Sequence, residues 1–106
     1  TTHSPVAHHR VRIDRAAHPL VEGVEDFEIE DELYFRLLVA ADAMPSVHAR
    51  ADFDGLARPM VMSWEAGAWP GRGRQVYLAN GHDLRATRSP ALERLWSNAV
   101  RWTLRL

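Results

Sequence analysis

Only one stretch of this 106-residue chain carries clear helical periodicity, and it lies at the C-terminus. Ser89 is a good N-cap and Pro90 suits the first helical position. After them Leu92, Leu95, Trp96, Ala99, Val100 and Thr103 recur at helical spacing. That pattern predicts one amphipathic helix over 89–104. Everything before it reads as strand or turn. A chain of this length holds one domain with a modest core, so the expected body is strand-rich and closed by a single helix.

The strands follow from alternation. "HHRVRID" (8–14) puts Val11 and Ile13 on one side, and "HPLVEGV" (18–24) is a link broken by its Pro and Gly. "DELYFRLLVA" (31–40) places Leu33, Phe35, Leu37 and Val39 on one face, which predicts a long strand. "SVHARAD" (46–52) and "RPMVMSWEA" (58–66) flank Asp54-Gly55 and predict a hairpin, with Met60, Met62 and Trp64 sharing a face. The glycine-rich "GAWPGRGR" (67–74) lacks the Lys-Ser/Thr of a phosphate loop and precedes a strand where such a loop follows one. Val76 to Ala79 is an unbroken apolar run, which suits a strand over 75–80 covered on both faces. Asn80-Gly81 then signals a tight turn, yet no second strand follows. The chain passes instead through His82-Asp83 toward the closing helix.

Composition removes several function classes. A net charge of −1 gives no electrostatic case for nucleic acid or an acidic membrane surface. All thirteen basic residues are Arg, which we read as a coding bias and not a phosphate-binding device. Without cysteine there is no disulfide, no thiolate metal site and no Cys nucleophile. No apolar run approaches about eighteen residues and no signal peptide is visible, so a soluble, cytoplasmic protein is the expectation. The start at Thr1 implies a removed Met or a cut from a larger protein.

Two constellations carry chemistry. His82-Asp83 sits where a strand ends, the position at which open α/β sheets bind ligands. An imidazole there can serve as general base or metal ligand, or the pair can simply cap the turn. In the acidic cluster, alternation sends Glu28, Glu30 and Glu32 to one side and Asp31 to the other. Such a run is a solvated face, unless Asp31 or Glu32 approaches His82 and orients its ring. His3, His8 and His9 match no compact metal-ligand pattern, so no metal site is assigned. Tyr34 and Trp64 lie on predicted strands, where an aromatic is either core or a platform for a ligand.

The succession "HPLVEG" (18–23), "DELY" (31–34), "MSWEAG" (62–67), "GRGRQVYLANGHD" (71–83) and "NAVRW" (98–102) resembles the C-terminal half of the ThuA-like (trehalose-utilisation) family, over nearly the whole chain from about residue 3. The resemblance implies a class I glutamine amidotransferase-like fold, a flavodoxin-like three-layer α/β sandwich, of which this chain is the strand-rich C-terminal portion. It also implies an enzyme or binding domain for a sugar or sugar derivative. His82 then falls where amidotransferases carry their catalytic histidine, although His82-Asp83 replaces their His-Pro-Glu. Their nucleophile is a Cys in the half missing here, and Ser63 would need a base beside it and a sharp strand-to-helix elbow, whereas it sits mid-strand. Glutamine hydrolysis is not expected. In this reading His82, Glu32 and Asp31 carry acid–base or metal-binding chemistry, and Tyr34, Trp64, Gly81 and Asp83 contact the ligand. The cofactor is unknown. The alternative is a non-catalytic ligand-binding or interaction domain that retains the fold. Because one helix cannot cover both faces of strand 75–80, the expected partner is a missing N-terminal half, or failing that a second copy.

Overall fold

The computed structural model describes residues 1–40, 42–65 and 73–106. In chain order they form β1 (Thr2–His3), β2 (Ala7–Ile13), a 3₁₀ turn (Pro19–Val21), β3 (Phe27–Asp31), β4 (Tyr34–Phe35), β5 (Ser46–Phe53), β6 (Leu56–Trp64), β7 (Gln75–Leu78), a single helical turn α1 (Leu84–Thr87) and α2 (Pro90–Thr103). The expected hairpin forms at its expected turn. Asp54 and Gly55 both take left-handed backbone angles (φ 54° and 73°), which match the twist of the strands they join. Phe53 consequently pairs with Leu56, and β5 and β6 become the centre of the sheet.

Around that hairpin a five-stranded sheet assembles in the order β3-β2-β5-β6-β7, and every pairing is antiparallel. β1 and β4 make a separate two-stranded ribbon. The architecture is therefore a strand-rich α/β fold whose curled sheet is closed by one long C-terminal helix. No parallel strand pair occurs among the described residues. No described helix is long and apolar enough to cross a membrane.

α2 begins as read, with the Ser89 hydroxyl accepting from the Leu92 amide at 3.4 Å. Its buried face is rotated from the one expected. Leu92, Leu95, Asn98, Ala99 and Trp102 point inward, while Trp96 and Val100 are about half exposed. Asn98 is tolerated inside because its Nδ2 donates to the carbonyls of Leu20 (3.1 Å) and Glu22 (2.9 Å). Leu92 and Leu95 meet Val11, Met60 and Val61 in the main core, each contributing about 1.5–3 kcal/mol by burial.

The strand expected over 31–40 is broken. β3 stops at Asp31, because the Leu33 amide turns to the Ser4 hydroxyl (2.9 Å) while the Ser4 amide donates to the Leu33 carbonyl (2.9 Å). β4 lasts two residues, paired to β1, and Arg36 ends it with φ 56°. Leu38 is then left 99% exposed, so the apolar alternation at 37–39 does not mark a strand. Residues 66–72, which hold most of the glycine-rich loop, lie outside the described residues.

β7 ends two residues earlier than expected and is the last strand of the sheet, where a buried strand was anticipated. Val76 and Leu78 pack on Leu20, Ala99 and Trp102. Tyr77 borders an apolar hollow of about 300 Å³ shared with Leu37, Val39, Ala43 and Trp64. Each face of β7 thus has a partial cover, and Val76, Tyr77 and Leu78 are half-buried. The two margins of the sheet differ in charge. β3 carries Glu28 and Glu30 and lies against α1, whereas β7 reads Gln-Val-Tyr-Leu, without a charge.

Candidate functional site

Period-two geometry decides where the acidic cluster points. Ile29, Asp31 and Leu33 share the core face of β3 and the residues after it, so Asp31 is carried inside and is 1% exposed. Its carboxylate meets the end of β7. One oxygen accepts from Asn80 Nδ2 (3.1 Å) and the Gly81 amide (2.8 Å), and the other accepts from the His82 amide (3.0 Å). Asp31 therefore holds the backbone of the Asn-Gly-His corner. It does not reach the imidazole; the carboxylate that does is its neighbour's.

That neighbour is Glu32. It faces the opposite side, where its side chain is 13% exposed, and Oε2 lies 3.2 Å from His82 Nδ1. The Tyr34 hydroxyl donates to the same oxygen at 3.1 Å and stands 3.3 Å from His82 Nδ1. The hydrogen bond to Glu32 raises the Tyr34 pKa, with burial adding to it, so the phenol is a neutral donor at physiological pH. Glu32, Tyr34 and His82 thus form one contact group, 48 residues apart in sequence at the widest hydrogen bond.

Gly81 makes the corner possible. Its φ of 117° is strained for any residue with a Cβ, and an added methyl would lie 3.4 Å from Trp96 Cζ2. Asp83 has a different task. Its side chain caps α1 by accepting from the Arg85 amide (2.9 Å), and it pairs with the Arg85 guanidinium, whose hydrogen bonds push its pKa down to about 2. Arg85 also reaches Glu30 at 3.2 Å. Trp64 is not at this site. It pairs with Gln75 at the opposite end of β7, and its indole N–H donates to the Ala43 carbonyl (3.3 Å).

One member has no local signal in the sequence. His3 pairs with Tyr34 across β1 and β4, with ring centroids 5.5 Å apart, and its Nδ1 lies 3.4 Å from Glu32 Oε2. The contact depends on a two-residue ribbon between segments some thirty residues apart. Among the described residues, no group of three or more His, Asp or Glu is placed to hold a metal ion.

A second pairing meets one of the two needs named for Ser63. The Ser63 hydroxyl does have an imidazole beside it, with His48 Nε2 at 2.7 Å. Both residues are buried (3% and 6% exposed), and Ser63 lies within a regular strand, without the sharp elbow that presents a nucleophile.

The group that does reach the surface is a carboxylate, an imidazole and a neutral phenol. It can pass a proton and hydrogen-bond a polyhydroxylated ligand, and it contains no covalent nucleophile of the amidotransferase kind. No curated protein matches the chain. The family model described as ThuA, trehalose utilisation, matches residues 1–103. By a match that spans nearly its whole length, this chain belongs to the ThuA (trehalose utilisation) family.

Proposed function

We propose that this domain binds and transforms a sugar or sugar derivative in carbohydrate utilisation, with His82 as the proton carrier. The observation that carries this reading is Glu32 Oε2, which stands 3.2 Å from His82 Nδ1 and 3.1 Å from the Tyr34 hydroxyl. A carboxylate on Nδ1 favours the tautomer with its proton there, which leaves Nε2 as the basic nitrogen. Family membership supports the sugar class. Tyr34 and the Gly81 corner form the ligand's contacts, and His3 borders the same carboxylate.

NMR titration with trehalose tests this. The expected result is a change at the His82 ring, Tyr34 and the Gly81 amide that disappears in His82→Ala. Shifts confined to other surfaces, or left intact by that substitution, would sink the proposal. The 40% exposure of the His82 side chain favours a second reading, a binding domain without chemistry. In that case the same resonances move and no product forms.

The same reading takes the chain as the C-terminal portion of a flavodoxin-like three-layer sandwich. Among the described residues the outer edge of β7 has no strand beside it. Leu38 and Met44, near that end of the sheet, are 99% and 76% exposed. A strand-bearing N-terminal half, or else a second copy, completes the sheet there. Light scattering on the 106-residue chain alone is expected to give a mass above 12.0 kDa. A 12.0 kDa species with a cooperative melt and no uptake of a hydrophobic dye would show that this end needs no cover.

A further inference from the structure

Outside the His82 group, two histidine rings lie one over the other. His18 precedes the 3₁₀ turn and His48 lies on β5, with ring centroids 4.2 Å apart and planes tilted by 34°. We propose that this stack is an acid-opened latch, in which proton uptake by the pair ejects His18 and releases the Pro19–Val21 turn from α2.

The His18 contact needs a neutral ring, and burial favours the same state for His48. His18 Nδ1 accepts from the Leu20 amide at 3.2 Å, so its lone pair is in use. An imidazolium carries a proton on each nitrogen, and two N–H groups would then oppose each other. His48 is 6% exposed, and its Nε2 meets the neutral Ser63 hydroxyl at 2.7 Å. A cation on either ring would be desolvated, and a second at 4.2 Å would repel the first.

The surrounding charges do not reverse this. Asp14, on the link after β2, favours a proton on His48, but it is shared with Arg50 of β5 at 3.6 Å. Glu65, after β6, favours a proton on His18, and Arg74, before β7, opposes it. Arg74 is fixed in place, its guanidinium 4.7 Å over the Trp102 ring and donating to the Trp102 carbonyl at 2.9 Å. Trp102 lies 5.4 Å from His18, and α2 otherwise presents neutral Asn98 and Ala99 to this corner. Burial dominates for both rings, lowering the His18 pKa and bringing that of His48 to about 4.

The sign follows. Unfolded histidine titrates near about 6.5, above both folded values. The opened or unfolded form therefore takes the proton first. The stabilising contribution is present above about pH 6.5 and is lost as pH falls toward the folded value. What is released is a small second core, since Leu20 is fully buried against Ala99 and Trp102, and its carbonyl accepts from Asn98.

Hydrogen exchange at Leu20 and Val21, whose amides bond to His18, reads the latch directly. Their protection factors are expected to fall by roughly tenfold or more between pH 7 and 5, while the central amides of β5 and β6 hold. His18→Asn keeps a capping oxygen without a titrating ring, and His48→Gln keeps a partner for Ser63. Each is expected to blunt the step, and the double variant to abolish it. A wild-type chain without the step, or a double variant that retains it, overturns the latch. Should His48→Gln not fold, the wild-type ring resonances decide, because loss of protection must track their protonation; a midpoint unrelated to it also overturns the proposal.

Discussion

Replacing Asp31 by alanine is expected to cost the fold on the order of 3–5 kcal/mol, the scale of leaving several buried donors without their acceptor. The carboxylate is 1% exposed and takes three donors, Asn80 Nδ2 and the amides of Gly81 and His82. Each hydrogen bond to a charged acceptor contributes about 1.5–3 kcal/mol, and a buried donor left unpaired carries its full desolvation cost. Against a typical total of 5–15 kcal/mol, the loss brings the domain close to unfolding. Asp31→Asn keeps one oxygen and sets an amide NH₂ against at least one donor, so an intermediate loss is expected. Urea denaturation at neutral pH gives both numbers. An alanine variant within about 1 kcal/mol of wild type would mean that something else holds the Asn-Gly-His corner.

The second large effect concerns rate. On the sugar that perturbs His82, the alanine substitution there is expected to lower turnover by about 10²–10⁴-fold, the range of general acid–base catalysis. Glu32→Gln should retain the contact and lose the charge that stabilises a protonated ring, with a smaller fall in turnover. The double variant distinguishes a working pair from two independent contributors. If Glu32 acts only through His82, Glu32→Gln adds nothing once His82 is alanine. Additive losses would place Glu32 in direct contact with substrate. Tyr34→Phe removes one neutral hydrogen bond and is expected to cost about tenfold or less.

Much of this was legible from local pattern. The Ser89-Pro90 helix start, the Asp54-Gly55 hairpin and the strand around Val11 follow from signals within a few residues of each other. The alternation through Glu28, Ile29, Glu30, Asp31 and Glu32 correctly separated the two faces, and so brought one carboxylate to the backbone and the other to the imidazole. What could not be read depends on distant partners. The break at Leu33 is made by Ser4, and His3 reaches Glu32 only through the β1–β4 ribbon. His48 escaped notice for a geometric reason. The β5–β6 register shifts between Val47 and Arg50, so His48 and Ala49 are both buried although strict alternation would expose one of them. On α2, hydrophobicity favoured Trp96 and Val100 for the core, whereas hydrogen bonds to the Leu20 and Glu22 carbonyls brought Asn98 inside.

The unequal margins of the sheet bear on how it can grow. Strand addition at β3 would bring Glu28 and Glu30 against an incoming chain, with α1 already beside them. At β7 no charge stands in the way. Among the described residues, an incoming strand therefore meets less charge at β7 than at β3. Were two copies to join edge to edge through β7, the product would show acidic margins at both limits, with no receptive edge left. Such an assembly is self-terminating at two.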